Sequence, residues 1–470
     1  MNLNSIDEPR SEDVLSYIRK ESLDVYNRLH SIEEDVAFVD QVHKSYPSTP
    51  LLPNLRCGAW YTDPAVATPV PAYFKSTDGH NNNWSFNLRR ANLHLLPLII
   101  KRQSIILVDS TRSGKKIPDA LSKTIPIWCS VINRAMLLRH LSLKEERGVD
   151  WNVALYTPPS TVSRQEHHQI EQRLDNWARD LANSSFNLPL LPSPLRPVWI
   201  TPSTSTFPTF SPKESEPPKF FPVICVSASK QVRQGVERRT GGFSYIQGSG
   251  DDHELWGMGL TPEMFWAHRT RLRAAGRTDI PTLVAEIVGS ENNASAIQNP
   301  PSPVLHVEGR LLLAAINEIP QSPQDANIRY IILTPSSEES QTVDDTHVYI
   351  PTVSGKKGQS HFLQTILPLS MEAINQALQG GKNVCVACES GKDMSVGVVL
   401  TALQLYFGGD GLYISSNSAY SADKRSIRTR LEWIIESRPQ ANPSRTVLKR
   451  VNEFLLTPST FRGVPSLPGP

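Results

Sequence analysis

The chain has 470 residues, 39% of them hydrophobic and 20% charged, with a formal net charge of +2. That length and apolar content leave room for two or three packed domains and exclude a disordered chain, while 48 basic against 46 acidic residues exclude a histone-like polycation but not a local basic patch. Five cysteines are an odd, sparse set, which argues against a disulfide framework and for a reducing compartment.

Residues 1–8 carry no basic-then-apolar leader, no run in the chain reaches the ~20 apolar residues of a membrane span, and no prenylation box closes it. The expectation is a soluble, cytoplasmic protein. Residues 11–45 read as two helices, because Val14, Leu15 and Ile18, then Val25, Tyr26 and Leu29, recur at helical spacing on faces suited to a core. From 51 to 108, short apolar runs broken by Pro, Gly and Asn predict strands and loops. Within this stretch, residues 75–86 are polar and centred on Gly79, with Arg89 and Arg90 following. Lys75, Arg89 and Arg90 are candidate RNA contacts.

Residues 104–108 form an apolar strand that runs into Asp109, Ser110, Thr111, Arg112, Ser113, Gly114 and Lys115, with a helix predicted from near Pro118. A Gly-containing turn between strand and helix directs backbone N–H groups at a bound anion, and the helix start adds positive potential. Thr111, Arg112, Ser113, Gly114 and Lys115 are therefore candidate phosphate contacts. By analogy with phosphoribosyltransferases, Asp109 stands where an acid grips ribose hydroxyls.

Further on, Ser163 and Glu166 have capping-box spacing, and Ile170, Leu174, Trp177 and Leu181 follow on one helical face. His167 and His168 have no matching acidic or cysteine partner and read as a solvated face. Residues 185–222 hold ten prolines among Ser, Thr and Lys, which predicts a surface excursion rather than a regular element. Residues 245–256 place Gly248 and Gly250 just before Asp251, Asp252, His253 and Glu254. The run is either a solvated acidic turn or a site for Mg2+ capture by Asp251 and Asp252, a general base, or both.

A low-complexity stretch at 292–303 marks the predicted boundary between an N-terminal α/β domain, 1–300, and a second domain, 304–460. The second alternates strands (330–333, 347–350, 384–387) with helices (364–378, 396–406), and two more helices (426–435, 444–456) follow, an α/β pattern with a mostly parallel sheet. Its sharpest feature is Cys388 followed by Glu389, Ser390, Gly391, Lys392, Asp393, Met394 and Ser395. This resembles the Cys-x5-Arg cradle of cysteine phosphatases, with Met394 at the arginine position and Ala387 in place of the usual histidine. The loop is expected to bind phosphate without hydrolysing a phosphoester. Cys385 and Cys388 also have the spacing of a redox or zinc pair, but without a second pair. Ser390-Gly391-Lys392 echoes Ser113-Gly114-Lys115, which suggests an internal duplication. Neither loop has Walker A spacing. Lys424, Arg425, Arg428 and Arg430 form a basic cluster suited to RNA, and Lys449 and Arg450 add a second.

In order, the stretches 56–61, 75–92, 108–115 with 118–124, 245–256, 388–397 and 442–445 resemble the initiator-tRNA 2′-O-ribosyl phosphate transferases of fungi and plants. The resemblance spans about residues 10–460 except the proline-rich stretch. It implies transfer of a phosphoribosyl group from 5-phosphoribosyl 1-pyrophosphate to the 2′-OH of the purine at position 64 in the T-stem of initiator methionine tRNA, which keeps that tRNA out of elongation. It also implies Mg2+ with the donor pyrophosphate and a C-terminal dual-specificity-phosphatase-like domain. Which of the two loops takes the 5′-phosphate and which the pyrophosphate stays open. Two readings of other classes stand beside it. One is a phosphatase working through Cys388, opposed by Met394. The other is a catalytically dead phosphatase-like RNA-binding protein, which has no use for the 251–254 cluster.

Overall fold

Helices α1 (Ser11–Leu23) and α2 (Val25–Ser45) open the chain where the apolar spacing predicts them. Asp24 caps α2 by accepting from the Asn27 N–H. Along α2, Val25, Leu29, Ile32, Val36, Val39 and Val42 form a buried stripe at helical spacing. Burying each such side chain contributes roughly 1.5–3 kcal/mol. The computed structural model describes residues 11–54, 57–112, 114–140, 151–210, 218–291, 300–320, 327–335, 346–414 and 422–457. The chain divides into two units: Met1–Asn87, Ala91–Asn183 and Leu188–Ala294 in one, and Leu88–Arg90, Ser184–Asn187 and Ser295–Pro470 in the other.

In the first unit the α2 stripe packs on Ile106 and Val108 of β2 (Ile105–Asp109) and on Ile224 and Val226 of β4 (Phe221–Ser227). These strands belong to an all-parallel sheet of order β1-β2-β4-β3, with β1 at Leu51–Pro53 and β3 at Leu195–Ile200. All residues of β2 and β4 are buried, which explains their unbroken apolar runs. The connection leaving β2 passes through a π turn (Ala120–Thr124) into the buried α4 (Ile125–Arg139). A β5–β6 hairpin (Val236–Arg238, Ser244–Ile246) precedes the acidic turn.

Three expectations are corrected here. The proline-rich stretch is not only an excursion, because β3 lies inside it. As an edge strand, β3 tolerates Pro197 without losing a ladder hydrogen bond on both sides. The apolar run at 95–100, within the stretch read as strands and loops, forms helix α3 (Leu96–Arg102), with Pro97 in its first turn, where no N–H is needed. The capping box is half formed: Ser163 accepts from the Glu166 N–H, but the Glu166 carboxylate instead accepts from Trp84 Nε1 at 3.0 Å and Lys123 Nζ at 3.1 Å.

The second unit carries a sheet of order β10-β9-β11-β8-β7, parallel except for the short β7 (Ser302–Pro303) against β8 (Leu311–Ala315). Central β11 (Asn383–Cys388) lies between β8 and β9 (Ile328–Pro335), with β10 (His347–Thr352) at the edge. After β11 the chain turns into α12 (Met394–Tyr406), and α13 (Lys424–Ser437) and α14 (Arg445–Leu456) follow. The predicted strands and helices of this half are all present. The two Ser-Gly-Lys loops, however, leave sheets of different strand order. A Cβ at Gly114 would meet open space, whereas one at Gly391 would press on the Ala314–Ala315 backbone. The sequence echo is not an echo of structure.

Candidate active site

In the first unit the two loops singled out in the sequence lie against each other at the carboxyl ends of β1 and β2, the edge of an open parallel sheet where ligands bind. Gln247 joins them. Its side-chain amide donates to the carbonyls of Thr111 (3.3 Å), Arg112 (3.0 Å) and Lys115 (2.7 Å). Beside it, Gly248 has φ 71° and no room for a side chain, since a Cβ would stand 2.6 Å from the Thr111 carbonyl oxygen and 2.8 Å from the Arg112 nitrogen. Only glycine meets both demands. Arg112 reaches across to the acidic turn, with Nε 3.8 Å from Asp251 Oδ2 and a guanidinium nitrogen on the Asp252 carboxylate. Asp251 is buried and Asp252 half-exposed, the latter in left-handed backbone (φ 45°) that a short polar side chain tolerates.

The rest of the acidic run is more open. His253 Nε2 lies 3.9 Å from Glu254 Oε1, and its ring is 5.7 Å from that of Trp60. Among the described residues no group of three or more His, Cys, Asp or Glu side chains gathers as a metal cage. Two adjacent carboxylates nonetheless suit Mg2+, which keeps several waters and takes its remaining ligands from phosphate oxygens.

Lys115 is half-exposed and donates to Asp119 Oδ2 at 2.5 Å, while buried Lys123 is 2.9 Å from Asp119 Oδ1. Burial would raise the Asp119 pKa, but these two ammoniums hold it below the usual aspartate range. Thr111 and Gly114 stand in the same turn; Ser113 lies outside the described residues. Asp109, expected to grip ribose hydroxyls, is instead fully buried. It accepts from Asn54 Nδ2 (2.9 Å), Cys57 Sγ (2.9 Å) and the Ser110 N–H (2.8 Å), so it braces the strand end behind the loop.

Sequence reasoning missed the residues that support the turn from beneath. Arg28 of α2 donates to the carbonyls of Gly248 (3.4 Å) and Ser249 (3.1 Å) and sits 5.6 Å over the Trp256 ring. Burial, with repulsion from Arg112 added, pulls its pKa down to about 10. Tyr61 accepts from the Gly250 N–H at 2.7 Å. Asn27, Ser31 and Asp35 are buried polar residues four apart on α2, and all three bond to the β6 segment: Asn27 Oδ1 accepts from Ser244 N, Ser31 Oγ from Ile246 N, and Asp35 from the Tyr245 hydroxyl. That polar stripe at helical spacing was the available signal.

In the second unit the Cys388 loop closes against the 442–445 stretch. Asn442 N–H donates to the Lys392 carbonyl at 2.9 Å, and Ser444 N–H to Asp393 Oδ1 at 2.7 Å. Arg89 and Arg90, which belong to this unit, donate to the Pro443 carbonyl (3.2 Å) and Asn442 Oδ1 (3.4 Å). Three of the six stretches behind the family resemblance therefore meet at one loop. Glu389, Ser390 and Lys392 are exposed on it, and Gly391 (φ 62°) is pinned beneath, its carbonyl accepting from Arg438 Nε at 2.9 Å. Cys388 is buried, with Sγ 3.1 Å from Ser395 Oγ. Cys385, pushed up to about 12 by burial, is three residues away on a strand and so faces the other side of the sheet. The two thiols do not converge as a metal or redox pair.

The basic cluster divides. Lys424, Arg425 and Arg428 are exposed on α13. Arg430 is 2% exposed and donates to the carbonyls of Leu403, Phe407 and Gly408 while stacking on Trp433. Arg430 is structural, and its assignment to RNA is corrected; helix periodicity turns it inward while Arg428 points out. Lys75 is exposed on its loop in the first unit.

Two family models match separate parts of the chain. A family model described as the Rit1 N-terminal domain matches residues 18–289, and one described as the Rit1 DUSP-like domain matches 346–455. The chain is 33% identical over 488 residues to the Saccharomyces cerevisiae protein named tRNA A64-2′-O-ribosylphosphate transferase, covering 93% of each chain. It is also 33% identical over 468 residues to an uncharacterized protein of Schizosaccharomyces pombe, covering 96% of this chain and 98% of that one. Among solved structures, human DUSP28 (13% identity, TM-score 0.25) covers 34% of this chain and 97% of its own. DUSP15 (21% identity, TM-score 0.24) covers 33% of this chain and 87% of its own. The phosphatase-like character of the second unit rests on the family match, not on these low scores.

Proposed function

The chain belongs to the family of proteins with the Rit1 N-terminal and Rit1 DUSP-like domains, and from that membership we propose that it is a pentosyltransferase that places a ribosylphosphate on a tRNA. The donor is 5-phosphoribosyl 1-pyrophosphate, and the acceptor is the 2′-OH of the purine at position 64 in the T-stem of initiator methionine tRNA. The bulky anionic mark keeps that tRNA out of elongation. The observation that carries the reading is the junction built by Gln247 and Gly248, which sets a cationic turn (Arg112, Lys115) against an acidic one (Asp251, Asp252).

In the transfer, the acceptor 2′-oxygen bonds to donor C1′, the C1′–oxygen bond to pyrophosphate breaks, and pyrophosphate departs with the electron pair. Charge builds on the leaving group, and Arg112 and Lys115 stand ready to stabilise it. Asp251 and Asp252 would hold Mg2+, which when bound neutralises the pyrophosphate oxygens. The proton lost by the 2′-OH needs an acceptor, and His253 or Glu254 supplies one. The carbonyls of Thr111, Arg112 and Lys115 face Gln247, so the turn's contribution to a phosphate comes from the Arg112 and Lys115 side chains. An A-form stem displays 2′-hydroxyls in a wide, shallow groove, so a paired nucleotide reacts without base flipping. Lys75, Arg89, Arg90, Lys424, Arg425 and Arg428 are the candidate tRNA contacts. In the second unit, Met394 at the arginine position and the buried thiol of Cys388 count against phosphoester hydrolysis, and the exposed Lys392 is the loop's cation for a phosphate.

The test incubates purified protein with initiator tRNA, Mg2+ and donor labelled in its 5′-phosphate. Label on the tRNA is expected, and none when Mg2+ is chelated. Label released as free phosphate in a Cys388-dependent reaction would favour a phosphatase instead.

A further inference from the structure

Beneath the acidic turn runs a chain of buried hydroxyls that ends on a carboxyl group. Asp35 of α2 is 3% exposed. Ser229 Oγ donates to its Oδ2 at 2.5 Å, and the Tyr245 hydroxyl to its Oδ1 at 2.7 Å. Ser110 Oγ lies 2.6 Å from Ser229 Oγ, the Ser110 side chain acts electrostatically on the neighbouring Tyr61 hydroxyl, and the Gly250 N–H donates to the Tyr61 oxygen at 2.7 Å. The links come from five places in the sequence: α2, the loop after β4, the end of β2, the turn after β1, and the acidic turn. All are buried.

A hydroxyl has one proton to give, so fixing one link fixes the orientation of the next. In a site this dry each link is strong, and a broken one leaves a polar group without a partner. The chain also has a specific end point. Gly250 N belongs to the residue before Asp251, so the tyrosine oxygen orients the backbone from which the two candidate carboxylates project. Arg28 holds the neighbouring Gly248 and Ser249 carbonyls from the same helix. A residue serving only to fill space here would be apolar, as are its helical neighbours Ile32, Val36 and Val39.

The geometry points to Asp35 as a remote positioning residue for the transfer reaction, acting through Ser229, Ser110 and Tyr61 to fix the Gly250 backbone and so the placement of the Asp251 and Asp252 carboxylates. The inference rests on the proposed role of that turn.

The test uses the full chain with Asp35→Asn, Tyr61→Phe and the double variant, and reads amide hydrogen exchange in peptides covering residues 246–256, thermal melting, and single-turnover transfer. Each single variant should speed exchange in that turn by about fivefold to tenfold, beyond any change elsewhere in the unit. Transfer should slow by roughly tenfold or more with the donor KM little changed. The double variant should be no worse than the more severe single, because both open one chain. Should Asp35→Asn not fold, Ser229→Ala opens the same chain with a smaller change. Unchanged exchange in the turn, an increase spread evenly over the unit, or an additive double variant would each overturn the inference. Absence of transfer by the unaltered protein would defeat the proposed function, and the exchange comparison would still decide whether Asp35 fixes the turn.

Discussion

Replacing Gly248 with alanine tests the junction between the two loops of the first unit. Two costs apply. An alanine held at φ 71° loses about 1–2 kcal/mol to the clash of its own Cβ with the backbone. In addition, the new Cβ would meet Thr111 carbonyl oxygen at 2.6 Å, Thr111 carbon at 2.7 Å and Arg112 nitrogen at 2.8 Å. These are backbone atoms, so a turn must move rather than a side chain rotate, and overpacking of this kind typically costs a further ~1–3 kcal/mol. Gly242 provides the control. It has a comparable φ of 81° with nothing within 4 Å of its Cβ position, so Gly242→Ala carries the first cost alone. Urea unfolding should therefore place Gly248→Ala about 1–3 kcal/mol below Gly242→Ala. Transfer should fall much further in Gly248→Ala, because Arg112 and the carboxylates no longer share one site. Equal stabilities, or full activity in Gly248→Ala, would refute the junction as described.

Other outcomes follow from single side chains. Arg430→Ala should cost about 2–4 kcal/mol in chemical unfolding, since it leaves buried carbonyls of Phe407 and Gly408 unpaired; Arg428→Ala should leave stability nearly unchanged and instead reduce the salt dependence of tRNA binding by about one ion. Lys115→Ala should weaken donor use by roughly tenfold to a hundredfold in steady-state kinetics. The same change should cost only about 0.5–1 kcal/mol of stability, because the lysine is half-exposed. That cost has a pH signature: the Asp119 carboxyl is depressed in the folded state, so its pairing stabilises above the ordinary aspartate pKa of ~3.9 and is lost as pH falls through the lower folded value, where the two proteins should converge in stability. Cys388→Ser should retain transfer, since the reaction needs no phosphocysteine and serine can keep the hydrogen bond to Ser395, while Lys392→Ala should lose it and neither protein should hydrolyse an aryl phosphate.

Much of this is legible in the amino-acid sequence. The α2 stripe, the strands of the second unit and both Gly-turn loops follow from local periodicity and turn chemistry, which depend on neighbours a few residues away. The misreadings share the opposite cause. Asp109 reads as a ligand-facing acid until Asn54 and Cys57, more than fifty residues earlier, close around it. Arg430 reads as part of a basic patch because a composition window ignores which helix face meets the core. The 195–200 strand is hidden by the prolines around it and by Pro197 within it, which an edge position tolerates. Gln247, Tyr61 and Asp35 carry no catalytic motif, and their meaning appears only when segments up to 210 residues apart meet.

The most direct test of the account is to map the product. Initiator tRNA treated with purified protein, 5-phosphoribosyl 1-pyrophosphate and Mg2+ is digested and read by mass spectrometry, alongside the Asp252→Ala variant. The account predicts one ribosylphosphate on the 2′-oxygen of the purine at position 64 with the unaltered protein. With Asp252→Ala it predicts none, while tRNA binding on filters stays nearly intact because removing an anion does not weaken attraction to phosphate. An unmodified tRNA, a mark at another nucleotide, or full transfer by Asp252→Ala would contradict it.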